Sequence, residues 1–218
     1  SGFSSATGTN NEQNYTPGNL SQTTWFRRTV MSGGCSNTSR VIRITVTPTI
    51  TGNTIGSIQT ICEGSTPAAL TGSTPGGGNG SFTYLWESST TGSGSGFIAA
   101  SGTNTGINYS PSALSATTWF RRTVISGGCS DVSSAVQIAV TPLPVATIGY
   151  AGSPYCSSEG TVFVTQTGTS GGTYTAAPSG LSLNGADGSV NTGTSTPGSY
   201  TVTYTIAAAG GCGIVTTT

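Results

Sequence analysis

Hydrophobic residues in this chain recur at every second position, in short runs separated by turns rich in Gly, Ser and Pro. The clearest run, FTYLWE at 82–87, places Phe82, Tyr84 and Trp86 on one face of an extended segment. Residues 117–125 (TTWFRRTVI) and 199–206 (SYTVTYTI) alternate in the same way. No apolar pattern with helical spacing extends beyond two turns. The pattern therefore predicts an all-β protein.

The predicted strands form a regular series, and the segment from 53 to 144 contains the most complete set. The strands predicted there are 55–61, 82–87, 97–100, 107–109, 117–125 and 135–141; those predicted further on are 161–166, 172–175 and 199–206. Many short strands around a central Trp, in fewer than about 100 residues, are typical of an immunoglobulin-like β-sandwich. We expect a core that contains Trp86, Tyr84, Phe82, Phe120, Val124 and Leu114.

The octet TTWFRRTV occurs twice, at 23–30 and at 117–124, and an SGGCS tail follows each copy. A shift of 94 residues aligns 3–48 with 97–142 without a gap, and 28 of these 46 positions are identical. A period of this length is too long for a solenoid unit and fits tandem β-sandwich domains. The octet is therefore predicted to be one strand of a repeated domain.

Three units are expected, arranged end to end as tandem immunoglobulin-like β-sandwiches. Residues 53–144 form a complete repeat, 1–52 the C-terminal part of a truncated one, and 145–218 a divergent repeat that is truncated at its C-terminal end. The links between units contain Pro48, Pro142 and Pro144, which favour extended backbone and limit swivelling. The sequence therefore predicts short, stiff joints.

Charge excludes one class of partner. The six basic residues are all Arg and balance six acids, and charged residues make up only 6% of the chain, against about 25% in an ordinary soluble domain. With no basic stripe to follow phosphates, we expect no nucleic-acid partner. The apolar runs are too short for a membrane span, so we also expect no membrane insertion.

The five cysteines are predicted to form disulfides. None lies in a C-x-x-C pair and the chain has no His, which argues against a zinc site. Wide spacing in a chain rich in Ser, Thr and Gly points to an oxidising compartment. We expect pairing within each unit, Cys62 with Cys129 and Cys156 with Cys212. Cys35 is expected to pair with a cysteine upstream of residue 1.

The WFRR segment is the most suggestive candidate for a binding site. Alternation places residues 119, 121 and 123 on one face of the strand and residues 120, 122 and 124 on the other. One interpretation is an exposed platform for sugar rings or bases, formed by Trp25, Arg27, Trp119 and Arg121. The favoured interpretation is structural, with the arginines lying across aromatic rings or pairing with acids.

Neither a catalytic site nor a metal site is predicted. The GTSGG at 168–172 matches the nucleophile motif G-x-S-x-G, but that motif requires a histidine partner, and the chain contains none. The acidic residues are at least 24 positions apart, so no carboxylate pair and no calcium loop is visible in the sequence. We therefore expect a non-enzymatic protein without a cofactor.

Longer stretches resemble a known class of repeats. YLWESS (84–89), NYSPSALSATTWFRRTVISGGCSD (108–131) and VQIAVTP (136–142) are similar to the Ig-like/PKD-like repeats of giant secreted cell-surface proteins of Bacteroidota. GLSLNGADG (180–188) and STPGSYTVTYTI (195–206) resemble a companion repeat of the same proteins. The resemblance implies an extracellular protein of the gliding-motility or adhesin type, associated with type IX secretion.

The function expected on this basis is a structural stalk or filament segment that supports attachment or gliding. Three alternatives stay open: a carbohydrate-binding array of Ig-like domains, spacer domains of a secreted hydrolase, and a self-assembling subunit of an extracellular fibre. The partners expected are surface glycans or other copies of the same chain.

Overall fold

The structure, a computed structural model, describes residues 2–218 and is almost entirely β. The many Thr, Val, Ile and aromatic residues favour this outcome, because they pack well on a pleated sheet. Within the described residues, the helical structure is a single 3-10 turn at Ser157–Glu159. No helical segment there is long and apolar enough to cross a membrane. The all-β prediction is confirmed.

Nineteen strands follow one another within residues 2–218. The first unit contains β1 Thr24–Phe26, β2 Thr29–Ser32, β3 Cys35–Thr38 and β4 Ile42–Ile44. The second contains β5 Ile55–Gly56, β6 Gln59–Cys62, β7 Thr71–Gly72, β8 Thr83–Ser89, β9 Ile98–Ala99, β10 Thr118–Ser126, β11 Cys129–Val132 and β12 Val136–Thr141. The third contains β13 Ala146–Gly149, β14 Thr161–Val162, β15 Thr165–Gly168, β16 Thr173–Ala177, β17 Val190–Asn191, β18 Thr201–Ile206 and β19 Val215–Thr217.

A six-stranded sheet organises the second unit. Its order is β6-β12-β10-β8-β9, and β11 pairs with the far half of β10. β8 and β12 both run antiparallel to β10, with Thr118 of β10 opposite Ile138 of β12. β6 runs parallel to β12 and places Cys62 beside Thr141. Cys62 therefore lies at the end of the sheet where β10 begins.

The core of the second unit covers one face of this sheet. It consists of Leu70, Trp86, Ala100, Tyr109, Phe120 and Ile138. The ring of Trp86 stacks on that of Tyr109 at 5.7 Å, and the indole N–H donates to the Gly106 carbonyl at 2.9 Å. Val124 is also buried, whereas Tyr84, Phe82 and Leu114 are half-buried. Each large apolar side chain buried in this way stabilises the fold by about 1.5–3 kcal/mol.

Each unit contains a Gly-Gly-Cys turn, at 33–35, 127–129 and 210–212. In all three, the first glycine has φ between +56° and +59° and the second between +82° and +84°. Two successive residues with positive φ make a type I′ turn, which two glycines adopt without strain. Each turn places its cysteine opposite the residue that precedes the first glycine. The turn is therefore the same structural element in all three units.

The first unit reproduces the C-terminal half of the second. Arg28 donates to the Gln13 carbonyl at 2.9 Å, as its counterpart Arg122 donates to the Ile107 carbonyl at 2.8 Å. Residues 2–48 contain no counterpart of β8. Val30 is 52% exposed, although its counterpart in β10 is fully buried. The first unit thus keeps the arginine hydrogen bond of the repeat, although the apolar side chains that bury Val124 in the second unit have no counterpart over Val30.

The third unit has a smaller core around Tyr174, Tyr204 and Ile206. The two tyrosine rings lie 4.7 Å apart. The Tyr204 hydroxyl accepts a hydrogen bond from the Gly172 amide at 2.8 Å and donates one to the Thr169 carbonyl at 3.1 Å. Its strands form the separate sheets β13-β15, β14-β17 and β16-β18-β19.

The disulfide pairing differs from the prediction. Cys62 is bonded to Cys212, with the two Cα atoms 4.6 Å apart, whereas Cys129, Cys156 and Cys35 are free. The predicted Cys62–Cys129 pair cannot form because the two cysteines lie at opposite ends of the nine-residue strand β10. At about 3.3 Å per residue they are separated by roughly 26 Å, far beyond the reach of a disulfide. The predicted Cys156–Cys212 pair is likewise wrong, because Cys212 is taken by the second unit.

Candidate functional sites on the WFRR strand and at the cysteine junction

On the outer face of β10, Arg121 is held by two neighbours, Glu87 and Phe97. Its Nε and Nη2 donate to the two carboxylate oxygens of Glu87 at 3.0 and 3.1 Å. Its guanidinium carbon lies 4.2 Å from the centre of the Phe97 ring. The Thr123 hydroxyl donates to the same carboxylate at 2.8 Å. Cross-strand pairing of β8 with β10 brings these groups together.

This arrangement keeps Glu87 ionised. The Arg121 hydrogen bond lowers the pKa of the Glu87 carboxyl below its ordinary value, partial burial opposes the shift, and the Thr123 hydroxyl adds to it. Both carboxylate oxygens accept hydrogen bonds from side chains. A general acid would need the opposite, a raised pKa. Glu87 is therefore suited to tying two strands together rather than to proton transfer.

On the inner face of β10, Arg122 is completely buried and has no carboxylate partner among residues 2–218. Its Nε donates to Asn53 Oδ1 at 3.0 Å, Nη1 to the Ile107 carbonyl at 2.8 Å and Nη2 to the Ser73 carbonyl at 2.9 Å. Its guanidinium carbon lies 5.1 Å from the centre of the Tyr84 ring. Burial lowers the pKa of Arg122. One side chain thus fastens three separate loops to the central strand.

The four residues of the predicted platform lie in different environments. Trp25 is 52% exposed and Arg27 is also exposed, with the guanidinium carbon of Arg27 4.2 Å from the centre of the Phe3 ring. Trp119 and Arg121 are half-buried. Each arginine lies over a Phe of its own repeat, and in the part of the chain that the structure describes no Trp is paired with either of them. These contacts are those expected of a structural strand.

Neither cavities nor charged clusters within the described residues offer a catalytic constellation. The groove beside Tyr109 and Phe120 has a volume of about 230 Å³ and is otherwise lined by Ser, Thr, Ala, Pro and Leu. No three Cys, Asp or Glu side chains among residues 2–218 come together as metal ligands would.

The cysteine junction joins the second and third units. The Gly-Gly-Cys turn of the third unit lies against β6 and the end of β12. A Cβ placed on Gly211 would lie 2.6 Å from the Thr60 carbonyl oxygen and 2.7 Å from the Ile61 Cα. The Cys212 Sγ lies 3.8 Å from the Thr141 carbonyl oxygen. Only glycine allows the turn to approach so closely, and the approach brings the two sulfurs together.

Comparison with known protein families assigns the two similar repeats to one family. A domain family of unknown function, DUF8696, matches residues 1–48 and 51–142. The chain belongs to DUF8696. The two matched DUF8696 segments contain both WFRR strands and the first two Gly-Gly-Cys turns. No match was found among curated proteins.

Sequence reasoning missed two functional features of this DUF8696 chain. The full burial of Arg122 was signalled by alternation, which places it beside Phe120 and Val124, but its acceptors are distant in sequence. The bond between units was signalled by the recurrence of Gly-Gly-Cys in the divergent third unit. That recurrence indicates a shared turn, and the turn meets the neighbouring unit.

Proposed function

We propose that the chain is a structural segment of a stalk or filament in a large extracellular bacterial surface protein of the adhesin type, which supports attachment or gliding. In this proposal, immunoglobulin-like β-sandwich units are arranged end to end. The resemblance to the Bacteroidota surface proteins described above supports it. In this proposal the units hold a distal binding region away from the cell and resist pulling. They carry out no catalysis.

The observation that carries the proposal is the disulfide across a junction. Cys62 belongs to the second unit and Cys212 to the third, and 150 positions separate them in sequence. A covalent bond at this place fixes the orientation of two neighbouring units. In a stalk, a bond at this place adds stiffness between neighbouring units. A disulfide also favours an oxidising, extracellular location.

A second observation favours a structural role for the WFRR strand. Arg121 is engaged by Glu87 and Phe97, and Arg122 is buried beneath loops. Neither guanidinium is free to stack on a sugar ring. The carbohydrate-binding alternative therefore depends on the two tryptophans and on Arg27, which is exposed and lies over the Phe3 ring, and Trp25 is the more exposed tryptophan.

Small-angle X-ray scattering of the chain in oxidised and reduced form tests the proposal. We expect the oxidised chain to scatter as one rigid, elongated particle and the reduced chain to gain flexibility between the second and third units. Flexible, bead-like scattering of the oxidised chain would contradict a stalk. A glycan array tests the carbohydrate-binding alternative. Specific binding by the natural chain that is lost in Trp25→Ala would favour that alternative over the stalk.

A further inference from the structure

Cys129 meets the first unit in the way that Cys212 meets the second. The Cys129 Sγ lies 3.9 Å from the Thr47 carbonyl oxygen, and the Cys212 Sγ lies 3.8 Å from the Thr141 carbonyl oxygen. Thr47 and Thr141 are equivalent residues, since the 94-residue shift superposes them in the Thr-Pro sequences that end the two repeats. The cysteine of each turn therefore lies at the same place on the preceding unit.

The glycine turns repeat this correspondence. A Cβ on Gly127 would lie 2.9 Å from Thr47 Cγ2, and a Cβ on Gly210 would lie 2.9 Å from Thr141 Cγ2. Two turns of identical backbone conformation thus approach the same atom of the equivalent threonine. The second and third units differ widely in sequence, yet both junctions are built alike.

Cys156 in turn resembles Cys62. The carbonyl of Cys62 accepts the Ser65 amide at 3.0 Å, and that of Cys156 accepts the Glu159 amide at 3.1 Å, so each cysteine begins a similar tight turn. A glycine with positive φ accompanies both turns, with Gly64 (φ +77°) inside the first turn and Gly160 (φ +78°) directly after the second. The spacing from a Gly-Gly-Cys cysteine to the next cysteine is also equal, 27 residues from position 35 to 62 and from 129 to 156.

We propose that the cysteines form a ladder of disulfides between successive units. The Gly-Gly-Cys cysteine of one unit bonds the cysteine at the β6 position of the preceding unit, as Cys212 bonds Cys62. Cys35 and Cys129 are Gly-Gly-Cys cysteines, and Cys156 occupies the β6 position. Cys129 therefore takes a partner at the Cys62 position of a preceding repeat. This pairing rests on the geometry of the two junctions and is independent of the stalk proposal.

Each bond of the ladder forms by thiol–disulfide exchange. The thiolate of one cysteine attacks a disulfide oxidant and releases one thiol, and the second cysteine then attacks the mixed disulfide and releases the other. The two protein thiols lose two protons and two electrons, and the oxidant is reduced to two thiols. Oxidised glutathione serves as the oxidant in the experiment below.

Duplication of one complete repeat tests the pairing rule within the full chain. Residues 49–142 are inserted a second time after residue 142, so that the new joint between the copies has the Pro-Thr sequence of 48–49 and the joint to the third unit keeps its natural Pro-Leu sequence. The oxidised protein is alkylated and digested with trypsin and an enzyme that cleaves after Glu and Asp. The upstream Cys62 is then carried by peptide 44–63 and either copy of Cys129 by peptide 123–131. The downstream Cys62 lies in a longer peptide, and its bond to 188–218 shows that the protein has folded.

Serine variants identify the copy of Cys129 that is used. We expect peptide 44–63 to be bonded to 123–131, and this bond to persist when Cys129→Ser is placed in the upstream copy. The bond should disappear when the same substitution is placed in the downstream copy. The reverse result would mean pairing within a repeat and would overturn the proposal. So would recovery of alkylated 44–63 and 123–131 from a protein in which the downstream bond to 188–218 has formed.

Discussion

At the scale of single residues, the two adjacent arginines of β10 have opposite roles. Arg121 lies on the outer face, where water still reaches part of its ion pair with Glu87. Arg122 lies on the inner face, where its guanidinium is enclosed by backbone carbonyls and an amide. Strand alternation alone separates them. Buried hydrogen bonds of a charged group are costly to leave unmade, whereas exposed ion pairs contribute little.

We expect Arg122→Met to lower the free energy of unfolding of the second unit by about 3 kcal/mol, because the acceptors on Asn53, Ser73 and Ile107 would be left buried without a donor. Arg121→Met serves as the matched control and should cost about 1 kcal/mol. Urea unfolding followed by tryptophan fluorescence measures both. Equal losses in the two variants would contradict this assignment.

The Glu87 carboxyl predicts a pH dependence of stability. Because Arg121 lowers the folded-state pKa of Glu87 below its ordinary value of 4.5, the unfolded chain binds the proton more readily. The ion pair therefore contributes stability above pH 4.5, and this contribution is lost as the pH falls through the lower folded-state pKa. Glu87→Gln should reduce the difference in urea midpoint between about pH 6 and about pH 3. Glu12→Gln, at an exposed position outside this ion pair, should leave the difference unchanged.

At the scale of elements, regular alternation made the long strands predictable. Predicted strands 82–87, 117–125 and 135–141 correspond to β8, β10 and β12, each shifted by no more than two residues. The segment 107–109 is instead a single bridge from Leu70 to Tyr109, because only one residue pair meets there. β11 was missed, since its residues CSDV are mostly polar and partly exposed and give no apolar alternation. Its existence depends on the Gly-Gly turn.

The Gly-Gly turn of the third unit yields a prediction at this scale. Gly211→Ala should make the Cys62–Cys212 bond at least about tenfold less favourable in a glutathione redox buffer, because the new Cβ would overlap the backbone of Thr60 and Ile61. Gly128→Ala is the matched control, since its φ of +83° equals the +82° of Gly211 within a degree and no atom lies within 4 Å of its Cβ position. Because Gly128 lies in the turn of Cys129, its variant should leave the Cys62–Cys212 equilibrium unchanged, and equal effects of the two variants would contradict the close approach as the cause.

At the scale of the whole molecule, the Cys62–Cys212 disulfide joins the second and third units, and Cys129 lies against the first unit. The repeat makes the recurrence of the cysteines visible in the sequence. The sequence does not show that Cys62 and Cys129 lie at opposite ends of β10, which prevents pairing within the second unit. Because β6 and the Gly-Gly turn lie at opposite ends of β10, the two cysteines of the second unit face different neighbours: Cys62 bonds the third unit and Cys129 lies against Thr47 of the first. In a ladder of such bonds, a pulling force would pass through the disulfides and the 27-residue links between them. β10 and β8, which contains Trp86, would be bypassed, whereas β11 and β12 of the same sheet lie within such a link, at residues 129–156.

Force spectroscopy of the chain, held at its two ends, tests this mechanical role. With Cys62 bonded to Cys212, the force passes through the disulfide, and the 150 positions between them cannot extend. Reduction should therefore increase the fully unfolded length by about 500 Å, at roughly 3.3–3.6 Å per residue. A Cys62→Ser, Cys212→Ser double variant should give the longer value with or without reductant. If the natural chain reached the same unfolded length under oxidising and reducing conditions, the disulfide would not carry the load, because the segment it encloses would then extend freely in both.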